Sequence, residues 1–173
     1  MMRGDRKRME LCLIAAQETI RAFERSRGTI QPPVPVEELA TWLGFQIIYL
    51  TLVPDEFSAI LSSKDKLIGI NGRHHRHRQR FSLCHELAHI LMHHPPESLC
   101  SARHIALYNA EADECAAELL MPSRLLQDDL HRTRSLSDLA RLFDVSEEAL
   151  ARKLLRLDGR SAPVREPTAP YRV

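Results

Sequence analysis

One pentapeptide, His85-Glu86-Leu87-Ala88-His89, constrains this chain more than any other feature. It has the form H-E-x-x-H. On a helix, residues four apart lie on one face, about one turn up the axis. Two imidazoles at that spacing can converge on one tetrahedral zinc, at roughly 2.0–2.1 Å per nitrogen. The Glu after the first His then points beside the metal, where a water would bind. Zinc lowers the pKa of such a water and the carboxylate takes its proton. Those residue types at that spacing point to attack on a carbonyl such as that of a peptide.

The chain holds 9 His in 173 residues, so the pentapeptide has to be read with its flanks. At about 100° per residue, Cys84, Leu87, Ala88, Leu91 and Met92 share one side with Phe81, and Leu83 and Ile90 widen it. The polar wedge that is left holds His85, Glu86, His89 and His93. A helix apolar nearly all round is a buried one. Buried polar groups need partners, which a metal and a cleft supply.

Two histidines do not complete a zinc site. The metzincin pattern needs Gly three residues after the second His and a third His three further on. Met92 and Pro95 occupy those positions, so that class is excluded. The alternative is an acidic residue on a later helix, and 109–121 reads as one, ended by Pro122. Its apolar face is Ala112, Cys115, Ala116, Leu119 and Leu120. Glu114 lies nearly opposite and is expected in solvent. Glu111, Asp113 and Glu118 sit on the boundary, and helical phase leaves the choice among them open.

Two stretches carry a family resemblance. They are Arg78-Gln79-Arg80-Phe81-Ser82-Leu83-Cys84-His85-Glu86-Leu87-Ala88-His89, continuing to His93, and Glu111-Ala112-Asp113 with Ala116-Ala117-Glu118-Leu119-Leu120-Met121-Pro122. The chain resembles the ImmA/IrrE-type metallopeptidase family, which typically reads R-Q-R-F-T-L-A-H-E-L-G-H and then E-A-x-x-F-A-A-x-L-L-M-P. The likeness spans roughly residues 35–157. Ala88 replaces a usual Gly and Cys115 a usual aromatic. The resemblance implies an α+β, zincin-like fold with a small sheet ahead of the active-site helix. It implies zinc as cofactor, with His85, His89 and Glu111 as ligands and Glu86 as general base. It also implies limited proteolysis of one protein partner, often a helix-turn-helix repressor.

The rest of the chain sets the frame. Its length suits one domain with a small appendage. A net charge of +1 argues against a broadly nucleic-acid-coating or membrane-surface protein. No apolar run approaches a membrane span of about 18 residues. Residues 11–16 are too short and mixed for a signal sequence, so a cytoplasmic setting is expected. The four cysteines show no C-x-x-C spacing and read as reduced thiols, with Cys84 and Cys115 as packing residues.

Residues 5–27 read as a helix, with Leu13, Ile14, Ile20 and Phe23 among its apolar positions and Gly28 as its stop. A second helix over 36–43 is closed by Gly44, and 45–52, 57–63 and 67–71 read as strands. The basic run Arg73 to Arg80 reads as a solvated entry to the metal helix. His93 and His94 could recruit metal as well; His93 continues the histidine face, two turns from His85 and too far to share a metal with it, and reads as a supporting or structural group. Residues 135–157 have a helix-turn-helix shape, with Ser135 and Ser146 as helix caps. The expected organisation is a metallopeptidase domain over 1–133, a hairpin over 134–157 packed on it, and a disordered tail over 158–173. In the alternative reading the chain is a non-catalytic DNA-binding regulator with a structural zinc, gripping DNA through Arg152, Lys153 and Arg156. Few base-reading residues lie at the start of the second helix, which disfavours it.

Overall fold

The structure is a computed structural model and describes residues 3–130 and 135–158. The tail expected to be disordered falls outside the described residues from 159 onward. Helix α1 (Arg3–Arg27) is long and one-sided. Cys12, Ala16, Ile20 and Phe23 recur every three or four residues and are buried. Ile14, expected among the apolar positions, is exposed instead. Helix α2 (Val36–Trp42) ends at Gly44, whose φ of 89° is open to glycine at little cost. There Phe45 N–H reaches back to the Ala40 carbonyl, and Gly44 N–H to that of Thr41.

Three strands follow: β1 (Gln46–Leu50), β2 (Ala59–Ser62) and β3 (Leu67–Asn71). They form a sheet in the order β1-β3-β2, with β1 parallel and β2 antiparallel to β3. Both β1 and β2 therefore present an edge. Ile68 and Ile70 on the central strand are buried, as is Ala59 on β2. Helix α3 (Arg76–Leu91) leaves β3 through a turn held by Gln79, whose amide faces the carbonyls of Asn71, Gly72 and His74 at 3.3, 3.1 and 2.7 Å.

Helix α4 (Ala102–Leu120) packs along α3. It begins at Ala102 rather than near Asn109, because the Ser101 side chain accepts from His104 N–H and caps it. Helix α5 (Ser123–Leu130), which no periodicity announced, follows Pro122 and buries Leu125 and Leu126. Helices α6 (Leu136–Phe143) and α7 (Glu147–Leu157) are capped by the Ser135 and Ser146 side chains. The described chain is thus a mixed α+β structure of seven helices and one small sheet. None of its described helices is long and apolar enough to cross a membrane.

Two sets of ion pairs attach α6 and α7 to the rest. Asp144, in the left-handed turn between them, meets Arg76 at 2.5 Å, His77 at 3.3 Å and the buried Arg80 at 3.4 Å. The basic run is partly engaged with this turn rather than simply solvated. Glu118, 1% exposed, accepts from Lys153 on α7, from Gln17 at 3.1 Å, and from the Ser123 N–H and hydroxyl at 3.0 and 2.7 Å. Glu114, expected in solvent, is 12% exposed and paired with Arg156. A buried carboxylate that loses its cation keeps its desolvation cost. Lys153→Met is therefore expected to destabilise the protein by roughly 3–5 kcal/mol in urea titration. Adding Glu118→Gln should recover much of that loss; equal instability of the single and double variants would contradict the pairing.

Candidate metal centre

Helix α3 carries His85 and Glu86 in its buried middle, with His89 one turn on. His85 is 0% exposed and Glu86 7%. Leu83, Cys84, Leu87 and Ala88 are buried around them, so His85 and Glu86 lie against other elements and not against water. The Nε2 atoms of His85 and His89 face each other at 3.1 Å. Two nitrogens on one tetrahedral zinc are about 3.3 Å apart, given bonds of about 2.05 Å.

Each ring is held from behind. His85 Nδ1 lies 2.8 Å from Asp113 Oδ1 on α4. A carboxylate only accepts, so Nδ1 carries the proton and Nε2 is turned forward. His89 Nδ1 lies 2.9 Å from Nδ1 of His94, and His94 Nε2 lies 2.9 Å from Glu111 Oε2. Burial, helped by the neighbouring His85 and His94, pushes His89 down to about 3. Burial also lowers His94, against the pull of Glu111. Both rings are therefore neutral near pH 7. Neutral His94 donates to Glu111 through Nε2, which leaves its Nδ1 as an acceptor for His89. His89 Nε2 then turns its lone pair toward His85. Imidazoles backed by carboxylate or histidine partners, with forward nitrogens at this separation, are the donor set zinc takes. At these two positions the residues fit the metal.

Glu111 is the buried acidic side chain of the second motif, 1% exposed. Both its oxygens are engaged by Arg8 of α1, one by Nε and the other by Nη2 at 3.0 Å, and His94 meets the second. Among the described residues no three His, Cys, Asp or Glu side chains are gathered into a finished metal-binding group. The physical reason is that a buried carboxylate takes the nearest cation, and here that is the Arg8 guanidinium. Of the other boundary candidates, Asp113 backs His85 and Glu118 is committed to Lys153.

Glu86 is pushed up to about 7, chiefly by burial, with His85 opposing and Glu97 adding to the shift. Glu97 sits in a single 3-10 turn, Glu97–Leu99, just beyond α3, and burial raises its carboxyl too. Cys84 is buried and its thiol is raised; Cys115 and Cys12 are pushed up to about 12, also by burial. Such thiols remain protonated and pack as small apolar groups.

The sequence offered His93 and His94 together as groups that could recruit metal and gave the histidine face to His93; nothing in it pointed to Arg8. His93 is exposed, because α3 ends at Leu91 and His93 adopts φ 52°. His93 N–H bonds to the Ile90 carbonyl and His94 N–H to that of His89. This is a Schellman end, which brings the residue after the left-handed one back over the last turn. A glycine would have signalled it; histidine did not.

A scan against family models matches residues 43–155 to Peptidase_M78, the IrrE N-terminal-like domain. The chain belongs to that family. The match covers both motifs, the sheet from β1 onward and nearly all of α7. A comparison with curated proteins finds no match. Among solved structures, a Mycobacterium tuberculosis transcriptional regulator is similar, with a TM-score of 0.63 at 13% identity. The likeness covers 90% of this chain but 52% of that one, so the IrrE-like chain spans about half its length. At that identity the likeness is one of fold.

The raised Glu86 carboxyl has a consequence for the metal-free protein. A carboxyl whose folded pKa lies above its unfolded value stabilises the fold least once it is ionised. That penalty grows as pH rises from about 4.5 through 7. Glu86→Gln should therefore stabilise the chelator-treated protein at pH 8, by on the order of 3 kcal/mol at about 1.4 kcal/mol per unit. The gain should shrink toward pH 4 in parallel denaturant titrations; a gain independent of pH would contradict the assignment.

Proposed function

We propose that this IrrE-like chain is a zinc-dependent endopeptidase that carries out limited proteolysis of one specific protein, a helix-turn-helix transcriptional repressor. The observation that carries the reading is the His85–His89 pair, with Nε2 atoms 3.1 Å apart and Glu86 buried beside it. His85, His89 and Glu111 would hold the metal, with Glu111 freed from Arg8. When bound, zinc supplies Lewis acidity to water and to the peptide carbonyl.

The remaining steps belong to the chain. Glu86 accepts the proton of the attacking water on its carboxylate and returns it to the leaving amine nitrogen. In the metal-free protein burial raises that carboxyl, the direction that strengthens it as a base. Asp113 keeps His85 facing the metal position. An extended substrate segment would lie along an exposed sheet edge, β1 or β2, through main-chain hydrogen bonds. Residues 1–133 form the peptidase unit in this reading, and 134–157 a hairpin that buttresses α4. The repressor as substrate rests on the family likeness; the similar solved structure bears the name of a transcriptional regulator.

In the alternative, a non-catalytic regulator grips DNA through the hairpin. It would draw on Arg152, Lys153 and Arg156. Lys153 is buried against Glu118 and Arg156 is engaged by Glu114, while Arg152 meets Glu148 at 2.5 Å. A nanomolar, sequence-selective footprint, with a salt slope that flattens by about one unit in Arg152→Ala, would favour that alternative.

Glu86→Gln separates chemistry from metal binding. The purified protein is expected to hold about one zinc per chain, and His89→Ala to lose it. Glu86→Gln should keep the zinc while cleavage of a co-expressed repressor falls by roughly 10²–10⁴-fold. Zinc content and cleavage are measured side by side, and a zinc-loaded Glu86→Gln protein of full activity would sink the mechanism.

A further inference from the structure

His94 lies outside both motifs, yet its two nitrogens reach two different candidate ligands. Nδ1 is 2.9 Å from His89 Nδ1, and Nε2 is 2.9 Å from Glu111 Oε2. Its side chain is 3% exposed and its ring stacks on Tyr108, with centroids 4.5 Å apart. Tyr108 also lies under the Arg8 guanidinium, 5.5 Å from the ring centroid. The ring is thus fixed in place by packing, and the left-handed residue before it fixes its backbone.

We infer that His94 is a positioning residue: it commits His89 to the tautomer that offers Nε2 to a metal, and it tethers Glu111 to that same histidine. The inference rests on the zinc reading of the site. Its logic is one of donors and acceptors. The Glu111 carboxylate accepts only, so the neutral His94 ring donates from Nε2. Nδ1 of that ring then accepts only, and His89 has to donate from Nδ1. The lone pair of His89 is left on Nε2, facing His85. Asn109 also hydrogen-bonds His89, but an amide can present either its oxygen or its nitrogen and so imposes no tautomer. His85 receives the equivalent instruction from Asp113. The two prospective ligands on α3 are therefore oriented by different means, one by a carboxylate and one by a histidine relay ending on the third ligand.

The relay makes a selective test possible. Asn places an amide atom where Nδ1 of histidine lies, and Gln places one where Nε2 lies. His94→Asn keeps a partner for His89 and drops Glu111; His94→Gln does the reverse. The probes are zinc affinity, by competition with a chelator, and the ¹⁵N shifts of the His89 ring in the metal-free protein. His94→Ala is expected to weaken zinc binding by about 10–100-fold, the usual effect of removing a group that orients a ligand. In the metal-free protein the His89 ring should pass from one tautomer to a mixture in His94→Ala, His94→Gln and His94→Asn alike, because none of the three presents His89 Nδ1 with a group that only accepts. His93→Asn, at an exposed left-handed position that Asn tolerates, should change neither reading. Circular dichroism of each variant identifies any that fails to fold, and the Asn and Gln variants decide the matter if Ala does. Unchanged zinc affinity together with an unchanged His89 tautomer in a folded His94 variant would overturn the inference. A wild-type protein that binds no zinc would overturn the proposed function instead, and the tautomer reading in the metal-free protein would still test His94.

Discussion

The Glu111 carboxylate lies almost wholly out of water on α4, and a buried charge has to be met by partners within the protein. Arg8 and His94 meet it. Much of the surrounding arrangement follows. The start of α1 is held to α4 through Arg8, which also covers Tyr108. His94 is drawn over the end of α3 and stacks on that same tyrosine. Through His94 the constraint passes to His89, whose forward nitrogen is left facing His85. One buried anion thus links three helices and orients one of the paired histidines.

Glu118 applies the same rule two turns further along α4, with a different result. Its partners come from α1, α5 and α7, and none of them is a group that binds metal through a lone pair at this site. The two buried carboxylates of one helix therefore divide the work. Glu111 faces the histidines, and Glu118 gathers the helices that hold α4 in place. This division explains why Lys153 of α7 is turned inward to Glu118, while Arg156 meets Glu114, the carboxylate expected in solvent.

The pattern of residues made much of this legible. The strand over 67–71 is found at those residues, and the apolar face Ala112, Cys115, Ala116, Leu119 and Leu120 is buried as phase required. Gly44 ends its helix, and Ser135 and Ser146 cap theirs. Local chemistry of that kind acts within three or four residues and can be read in a string. Helix α5 was missed because eight residues with two buried leucines carry too little periodicity. The first turns of α4 were missed because Ala102 to Tyr108 has no apolar stripe of its own and is started by one serine cap.

The pairing of His85 with His89 was written in the chain, because a four-residue spacing on a helix leaves two side chains little choice but to meet. The burial of Glu86 was equally legible, since the residues around it are apolar on nearly every side. The choice among Glu111, Asp113 and Glu118 was not. All three lie on the border of one helical face, and phase does not distinguish them. What each one touches depends on groups brought from 28 residues away for Asp113, from 17 and 103 residues away for Glu111, and on Lys153 and Gln17 for Glu118. His94 is the sharpest case. A single left-handed residue, with no glycine to announce it, turned the chain back and exchanged the roles of two adjacent histidines.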